Sequence, residues 1–254
     1  MRFPTNTAAM LVMAALLSSV ALADHDQAIA PPTSHPFGAS YDEWSARWWA
    51  WIYSIPAVPP NWLPNPLFTN GRVDCSYRQS THEGSEHVWF LVGVISGTAE
   101  RTCTLPAGTA LFFPMFNAEA DNVGFDQNGA TPPTHFDVPT LEGFVQGGVD
   151  SVIPHATIDN VPVSNASAYR ARFAPFGFTV PRVDNLYGVF GAQVPGISWP
   201  NTRIFPVAAD GYYLMVEPLA PGRHTINFGA MARDGSFQIN ITYHLVVRSD
   251  NDQK

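Results

Sequence analysis

The chain has 254 residues, 46% of them hydrophobic, and a formal net charge of −8. That is enough apolar content for one large core or two small ones. An acidic chain with a single lysine and no cluster of arginines is unsuited to nucleic acid or to an anionic membrane surface.

The N-terminus reads as an export signal. Arg2 supplies the positive charge, Ala8 to Leu17 an apolar run, and Ala21 and Ala23 the small-x-small pattern that a signal peptidase cuts. A spanning helix needs roughly 20 apolar residues, and Ser18 and Ser19 break this run before it reaches that length. Residues 1–23 are therefore expected to be removed, leaving a secreted or periplasmic protein with no membrane span. Its 12 basic and 21 acidic side chains would carry a net charge of −9. An oxidising compartment suits the two cysteines, Cys75 and Cys103. Their pairing closes a loop of about 29 residues, worth roughly 3–4 kcal/mol in the chain-entropy account.

Residues 24–39, rich in proline, read as a flexible entry to a single domain over 40–248, with 249–254 as a polar tail. Ser40 to Glu43 spells a capping box, and Trp44, Trp48, Trp51, Ile52 and Ile55 follow on one helical stripe until Pro56 stops it. The stripe predicts a helix over 40–55 whose tryptophans face a core, with Trp49 and Tyr53 at its flanks. The alternative is an aromatic platform for sugar rings. Val88 to Val94 is a continuous apolar run, as in a strand covered on both faces, and Thr109 to Pro114 is a second strand after the turn at Leu105 to Gly108.

Residues 117–137 read as a long polar loop. Asp137 then caps a second helix, with Pro139 in its first turn and Leu141, Phe144, Val145, Val149 and Val152 on one side. Towards the C-terminus, Tyr212 to Val216 precedes a turn at Ala220 to Gly222, and His224, Ile226 and Phe228 alternate with polar residues. The turn at Asp234 and Gly235 is a strong hairpin signal. Beyond it Ile239, Ile241, Tyr243, Leu245 and Val247 share a face, opposite Gln238, Asn240, Thr242 and His244. The expected fold is mainly β: an antiparallel β-sandwich, jelly-roll or Ig-like, with one or two accessory helices.

Several stretches together are similar to a family of secreted bacterial and archaeal proteins of uncharacterised activity. They are Trp44 to Trp51, Val88 to Gly93, Arg101 to Pro114, Ala156 to Asn160, Tyr169 with Arg170, Asp210 to Tyr213, and Pro218 to Phe228. The tryptophan helix and the Cys-Thr-Leu-Pro-Ala-Gly block from Cys103 are its most specific parts. The resemblance implies one intact domain and brings no activity with it.

Candidate chemistry clusters between residues 82 and 137. His82 and His87 flank two carboxylates, but their five-residue spacing would put them about 140° apart on a helix, unlike the four-residue spacing of a zinc protease. A loop would be needed to fold both rings onto a transition metal, with His135, His155 or His224 as a third ligand. Glu119, Asp121 and Asp126 offer hard oxygens for calcium, without EF-hand spacing. Glu119, Asp121, His135 and Asp137 are candidates for acid–base work on a glycosidic bond. Gly196 to Pro200 lacks the second glycine of a nucleophile elbow.

The leading expectation is a non-enzymatic binder of an extracellular partner such as carbohydrate or envelope material. The alternatives are a polysaccharide-active hydrolase or lyase, and a metal-binding envelope protein.

Overall fold

The computed structural model describes residues 29–57, 65–123, 135–182, 184–189 and 203–249. The export segment 1–23, Asp126, Gly196 to Pro200 and the tail beyond Ser249 lie outside them. Among the described residues the chain is mainly β, with helices α1 (Tyr41–Ser54), α2 (Val138–Asp150) and the short α3 (Leu186–Val189). The strands are β1 (Val88–Phe90), β2 (Gly97–Leu105), β3 (Ala110–Asp121), β4 (Val152–Ile158), β5 (Val161–Pro162), β6 (Arg170–Thr179), β7 (Arg203–Val216), β8 (Gly222–Ala232) and β9 (Gln238–Val247).

These form two sheets, ordered β1-β3-β7-β6 and β2-β9-β8-β4-β5. Both are mixed. The β1/β3 and β2/β9 pairs are parallel and the other pairs antiparallel, which corrects the expectation of purely antiparallel sheets. The connectivity explains the first case. After β1 the chain crosses to the second sheet as β2 and returns as β3, so β3 runs in the same sense as β1.

One core lies between the sheets, built from Leu111, Phe113, Leu214 and Val216 on one side and Phe228, Ile241 and Leu245 on the other. Phe113 and Phe228 meet there with ring centroids 4.5 Å apart. A second core fills the opposite face of the first sheet, where Phe90, Phe112, Tyr213 and Met215 receive Trp44, Trp48 and Ile52 of α1. The layers are therefore helix, sheet, sheet, and β3 is buried on both faces because it is the common wall of two cores.

The capping box at the start of α1 is formed: Ser40 Oγ accepts from the Glu43 N–H at 3.2 Å, and Glu43 Oε2 accepts from the Ser40 N–H at 2.8 Å. Trp44, Trp48 and Trp51 face inward as the stripe requires. Trp49 and Tyr53 are buried too, because β6 and α3 close over the flank that a helix on an open sheet would leave wet. This removes the aromatic platform.

The apolar run at 88–94 is buried but only Val88–Phe90 is strand. Its later carbonyls are taken by side chains. Leu91 O accepts from the Trp48 indole at 3.0 Å and Gly93 O from Arg101 at 3.2 Å, while Tyr243 Oη bridges the N–H and C=O of Val92. Arg101 is itself buried and also donates to Pro66 O at 2.6 Å and Thr69 O at 3.0 Å. A disulfide joins Cys75 to Cys103 with Cα atoms 5.7 Å apart. Arg170 and Asp210 meet across the β6/β7 pair, at 2.8 Å from Nε and 2.6 Å from Nη2. Ile29 pairs with Val216, and Ala30 donates to Met215 O at 2.9 Å, tying the entry segment to β7.

Candidate functional site

The carboxylates at 119 and 121 stand on a strand, not in a loop. β3 continues through Asp121, in register with β7 as far as Asp121 opposite Val207. A bulge between Pro114 and Phe116 decides which way they face. Proline has no N–H to give the ladder, and the extra residue of a bulge reverses the alternation of side chains beyond it. Before the bulge Leu111 and Phe113 face the inter-sheet core. After it Asn117, Glu119 and Asp121 lie opposite Gly211, Ala209 and Val207, on the face that α1 covers. The other face at this end, Ala120 and Ala208, packs under Leu141 and Val145 of α2.

On the α1 side two tyrosines meet the two acids. The Tyr53 hydroxyl donates to Glu119 Oε1, and the Tyr187 hydroxyl of α3 donates to Asp121 Oδ2. The tyrosine rings lie 5.3 Å apart, and Tyr53 stacks on Phe178 at 4.3 Å. Glu119 as a residue is half-buried, but its carboxyl oxygen Oε2 is sealed and makes no hydrogen bond. Burial, followed by the charge of Asp121, pushes the Glu119 carboxyl well above the ordinary carboxylate range, against the Tyr53 hydrogen bond that opposes it. Burial likewise raises both tyrosines, with the charge of Glu119 as the next cause. Both causes favour the protonated form of Glu119, with one oxygen held by Tyr53 and the other without a hydrogen bond.

Glu119 and Tyr53 line a cleft of about 260 Å³, together with Trp48, Trp49, Asn117 and Leu186. Trp44, Trp48 and Trp51 each donate their indole N–H to a backbone carbonyl, of Pro36, Leu91 and Arg78 respectively. Trp49 Nε1 does not; it is buried without a hydrogen-bond partner. Its nearest polar neighbour is the Tyr213 hydroxyl, whose pKa the indole N–H lowers as a donor although the contact falls short of full hydrogen-bond geometry. Asn117 Nδ2 donates to that hydroxyl at 3.3 Å. The cleft wall therefore holds an unsatisfied donor on Trp49 and an unsatisfied carboxyl oxygen on Glu119.

The four acid–base candidates do not form one set. Glu119 and Asp121 share a strand face, but Asp121 is paired with Tyr187 and neither of those two lines the cleft. Asp137 is exposed and serves as the N-cap of α2, accepting from the Thr140 N–H at 3.0 Å and from its hydroxyl at 2.5 Å. Those bonds hold its carboxyl below the ordinary range. His135 is exposed.

The metal candidates also separate. His82 stacks on Phe90 with centroids 4.0 Å apart, and burial lowers its pKa; His87 stacks on Phe37 at 5.8 Å. His155 is taken up with Asn240 at 3.2 Å, and His224 with Asp159 at 2.7 Å and Ala220 O at 2.8 Å. Among the described residues no three His, Cys, Asp or Glu side chains gather as a metal site. A transition metal on His82 and His87 has no support in this arrangement, and the calcium candidate depends on Asp126, outside the described residues.

Tyr187, the buried indole N–H of Trp49 and the pairing of Tyr53 with Glu119 have no signal in the sequence, because each depends on contacts 66 or more residues apart or on how a helix is covered.

No family model matches the chain, and no curated protein matches it. Among solved structures it is similar to the cysteine protease inhibitor EhICP2 from Entamoeba histolytica, at 11% identity and a TM-score of 0.24, over 64% of this chain and 96% of that one. A likeness that distant carries no argument about fold or function.

Proposed function

We propose that the protein is a secreted binder of a small, neutral, hydroxyl-rich ligand, of the kind a single sugar residue presents, held in the cleft between α1 and β3. One observation carries the reading. Two buried polar atoms of residues that line this cleft, Trp49 Nε1 and Glu119 Oε2, make no hydrogen bond, and buried polar groups are normally satisfied. A hydroxyl, donor and acceptor at once, answers both. Ile95, which is exposed, and Phe237, half-buried, also line this cleft and suit the apolar face of a sugar ring. The volume of about 260 Å³ sits below the roughly 300–1,000 Å³ of drug-sized sites, which favours one ring over a long oligomer. A carboxyl pushed by burial towards its protonated form suits a neutral ligand, since the protonated form can donate. Export through residues 1–23 supplies the extracellular setting, kinship with the secreted family described above is part of the same reading, and the two facing sheets are read as a sandwich of jelly-roll or Ig-like type.

A second reading is acid catalysis on a glycan by Glu119. Its support is the neutral acid beside a second carboxylate. Its weakness is geometric: Glu119 and Asp121 stand two residues apart on one strand face, so they approach from one side. The two-carboxylate mechanism needs groups flanking the scissile bond, roughly 5–9.5 Å apart.

Calorimetric titration with a panel of neutral monosaccharides tests the binder. Trp49→Phe keeps the ring and loses the N–H, and should weaken binding about fivefold, the value of one neutral hydrogen bond. If no neutral sugar binds, or if Trp49→Phe binds as the parent does, the reading fails. Hydrolysis of a glycan that Glu119→Gln abolishes while binding persists would establish the catalytic reading instead.

A further inference from the structure

Residues 76–87 run over the tryptophan face of α1 between two fixed points, the Cys75–Cys103 bridge and β1. The first part of this strap is firmly seated. The Trp51 indole donates to Arg78 O at 3.0 Å, and the buried Gln79 side chain donates to Phe90 O at 2.8 Å and accepts from the Phe90 N–H at 2.9 Å. The second part, residues 82–86, is held more lightly. Glu83 pairs with Arg47 of α1 at 3.0 Å, but its side chain is 81% exposed, and exposed ion pairs contribute little. Gly84 rests so close to Trp44 that an added Cβ would lie 2.4 Å from Cη2 of the indole. His82 lays its ring on Phe90, with centroids 4.0 Å apart.

The partners of that ring decide where its proton sits. His82 Nδ1 lies 3.1 Å from Glu83 O. A backbone carbonyl can only accept, so Nδ1 carries the proton and Nε2 is the bare nitrogen of a neutral imidazole. Nε2 is sealed from water and makes no hydrogen bond. A second proton would put a charged N–H where no water reaches it and no acceptor meets it with hydrogen-bond geometry.

Burial is accordingly the largest cause holding the His82 pKa below its ordinary value. The charged groups facing the ring act in opposite senses: Arg47 of α1 opposes a second positive charge, and Glu86 of the strap favours one. The backbone of Glu83 and of Val88 in β1 also favours it, and β1 brings no charged side chain. Burial and Arg47 together outweigh these. The strap carries another unmet donor, Arg78 Nε, likewise buried without a hydrogen bond.

We propose that residues 82–86 are an acid-released strap: the neutral His82 ring clips them over Trp44 and Phe90, and a second proton on that ring lets them go. The anchors at Cys75 and β1 stay, so release is a local opening of the kind that leaves the cores folded. It uncovers the edge of Trp44 under Gly84 and the face of Phe90 under His82. None of these residues lines the cleft between α1 and β3, so the inference stands apart from the binding reading. The released ring titrates near its ordinary value of 6.5 and the docked ring below it. Docking is therefore fully favoured above 6.5 and weakens as pH falls, by up to about tenfold in the docked-to-released ratio per pH unit.

Hydrogen exchange on the full mature chain, bridge intact, reads the opening between pH 7.5 and 5.5, with rates corrected for the intrinsic pH dependence of exchange. The amides of Ser85, bonded to His82 O at 3.3 Å, and His87, bonded to Gly84 O at 3.1 Å, report on the strap. Their protection should fall by up to about tenfold per pH unit below 6.5, while the amides of β7 keep theirs. His82→Phe keeps a ring on Phe90 and cannot take a proton, so its strap protection should not change with pH. Glu83→Gln removes the ion pair and leaves His82, so the fall should persist. Flat protection in the parent would overturn the proposal, and so would a fall that His82→Phe retains or that Glu83→Gln abolishes. NMR titration of the His82 ring in the parent covers the case in which the phenylalanine variant misfolds. A midpoint below 6.5 is expected, and one at or above 6.5 overturns the proposal.

Discussion

Replacing Glu119 by glutamine tests the electrostatic core of the candidate site. Unfolded, the carboxyl titrates near its ordinary value of 4.5; folded, burial and the charge of Asp121 hold it well above that. Between those two values the folded chain keeps a proton that the unfolded chain has released. Stability is therefore fully present below the unfolded value and lost as pH rises towards the folded one. The steepest possible loss is about 1.4 kcal/mol per pH unit, and from 4.5 to pH 7 it reaches at most about 3.4 kcal/mol. Glutamine matches the shape of the neutral acid, still accepts from Tyr53, and does not titrate. The variant should thus match the parent near pH 4.5 and exceed it increasingly up to pH 7. Urea unfolding of the bridged protein at pH 5, 6, 7 and 8 measures this, because the difference between the two proteins cancels the titrating groups that do not interact with Glu119. Parallel stability profiles would show that Glu119 is ionised in the folded chain, and the neutral-acid account of the cleft would go with it.

Tyr53→Phe removes the donor to Glu119 and leaves a buried acceptor unmet, so it should cost about 1–3 kcal/mol. It should also extend the falling limb of the stability profile to higher pH, since that hydrogen bond works to lower the Glu119 pKa. Arg101→Met should cost about 3–5 kcal/mol by chemical denaturation. It strands the Gly93, Pro66 and Thr69 carbonyls that the guanidinium now joins and leaves Val92 O to Tyr243 alone; a loss under about 1 kcal/mol would show that the strands and loop hold together without it. Gly84→Ala should cost about 2–4 kcal/mol. The residue sits at a φ of +83°, and an added Cβ would lie 2.4 Å from Cη2 of Trp44, so a thermal midpoint equal to the parent's would mean that the turn moves freely off the helix.

How much of this was readable beforehand follows from the range of the forces involved. The Ser40–Glu43 box, the Asp137 cap and the turn at Asp234 and Gly235 are local: their hydrogen bonds span two or three residues, so residue type at fixed spacing determines them. The stripe of Trp44, Trp48, Trp51 and Ile52 is local in the same sense, since helical period alone puts them on one side. The pairing of Cys75 with Cys103 was open to inference because only two thiols exist.

Sheet order was not readable in that way, because a strand's partners depend on crossings between layers that leave no mark on its own residues. The parallel partners of β2 and β3 are of this kind. Glu119 shows the same limit at the site. Its residue type makes it a candidate, but the polar stretch from Asn117 to Asp121 reads as a loop, and polarity there reflects the α1-facing pocket. Which face it presents is settled by one extra residue at Pro114–Phe116, a register shift that alternation in β3 alone does not reveal. What it meets is settled by α1 and α3, which bring tyrosines 66 residues away in either direction onto the two acids. Composition, caps and periodicity thus determined which helices and turns form and which residues could do chemistry. Tertiary packing decided that one carboxyl loses its water, has its pKa pushed up and lines a cleft, because desolvation and long-range contact are properties of the assembled layers.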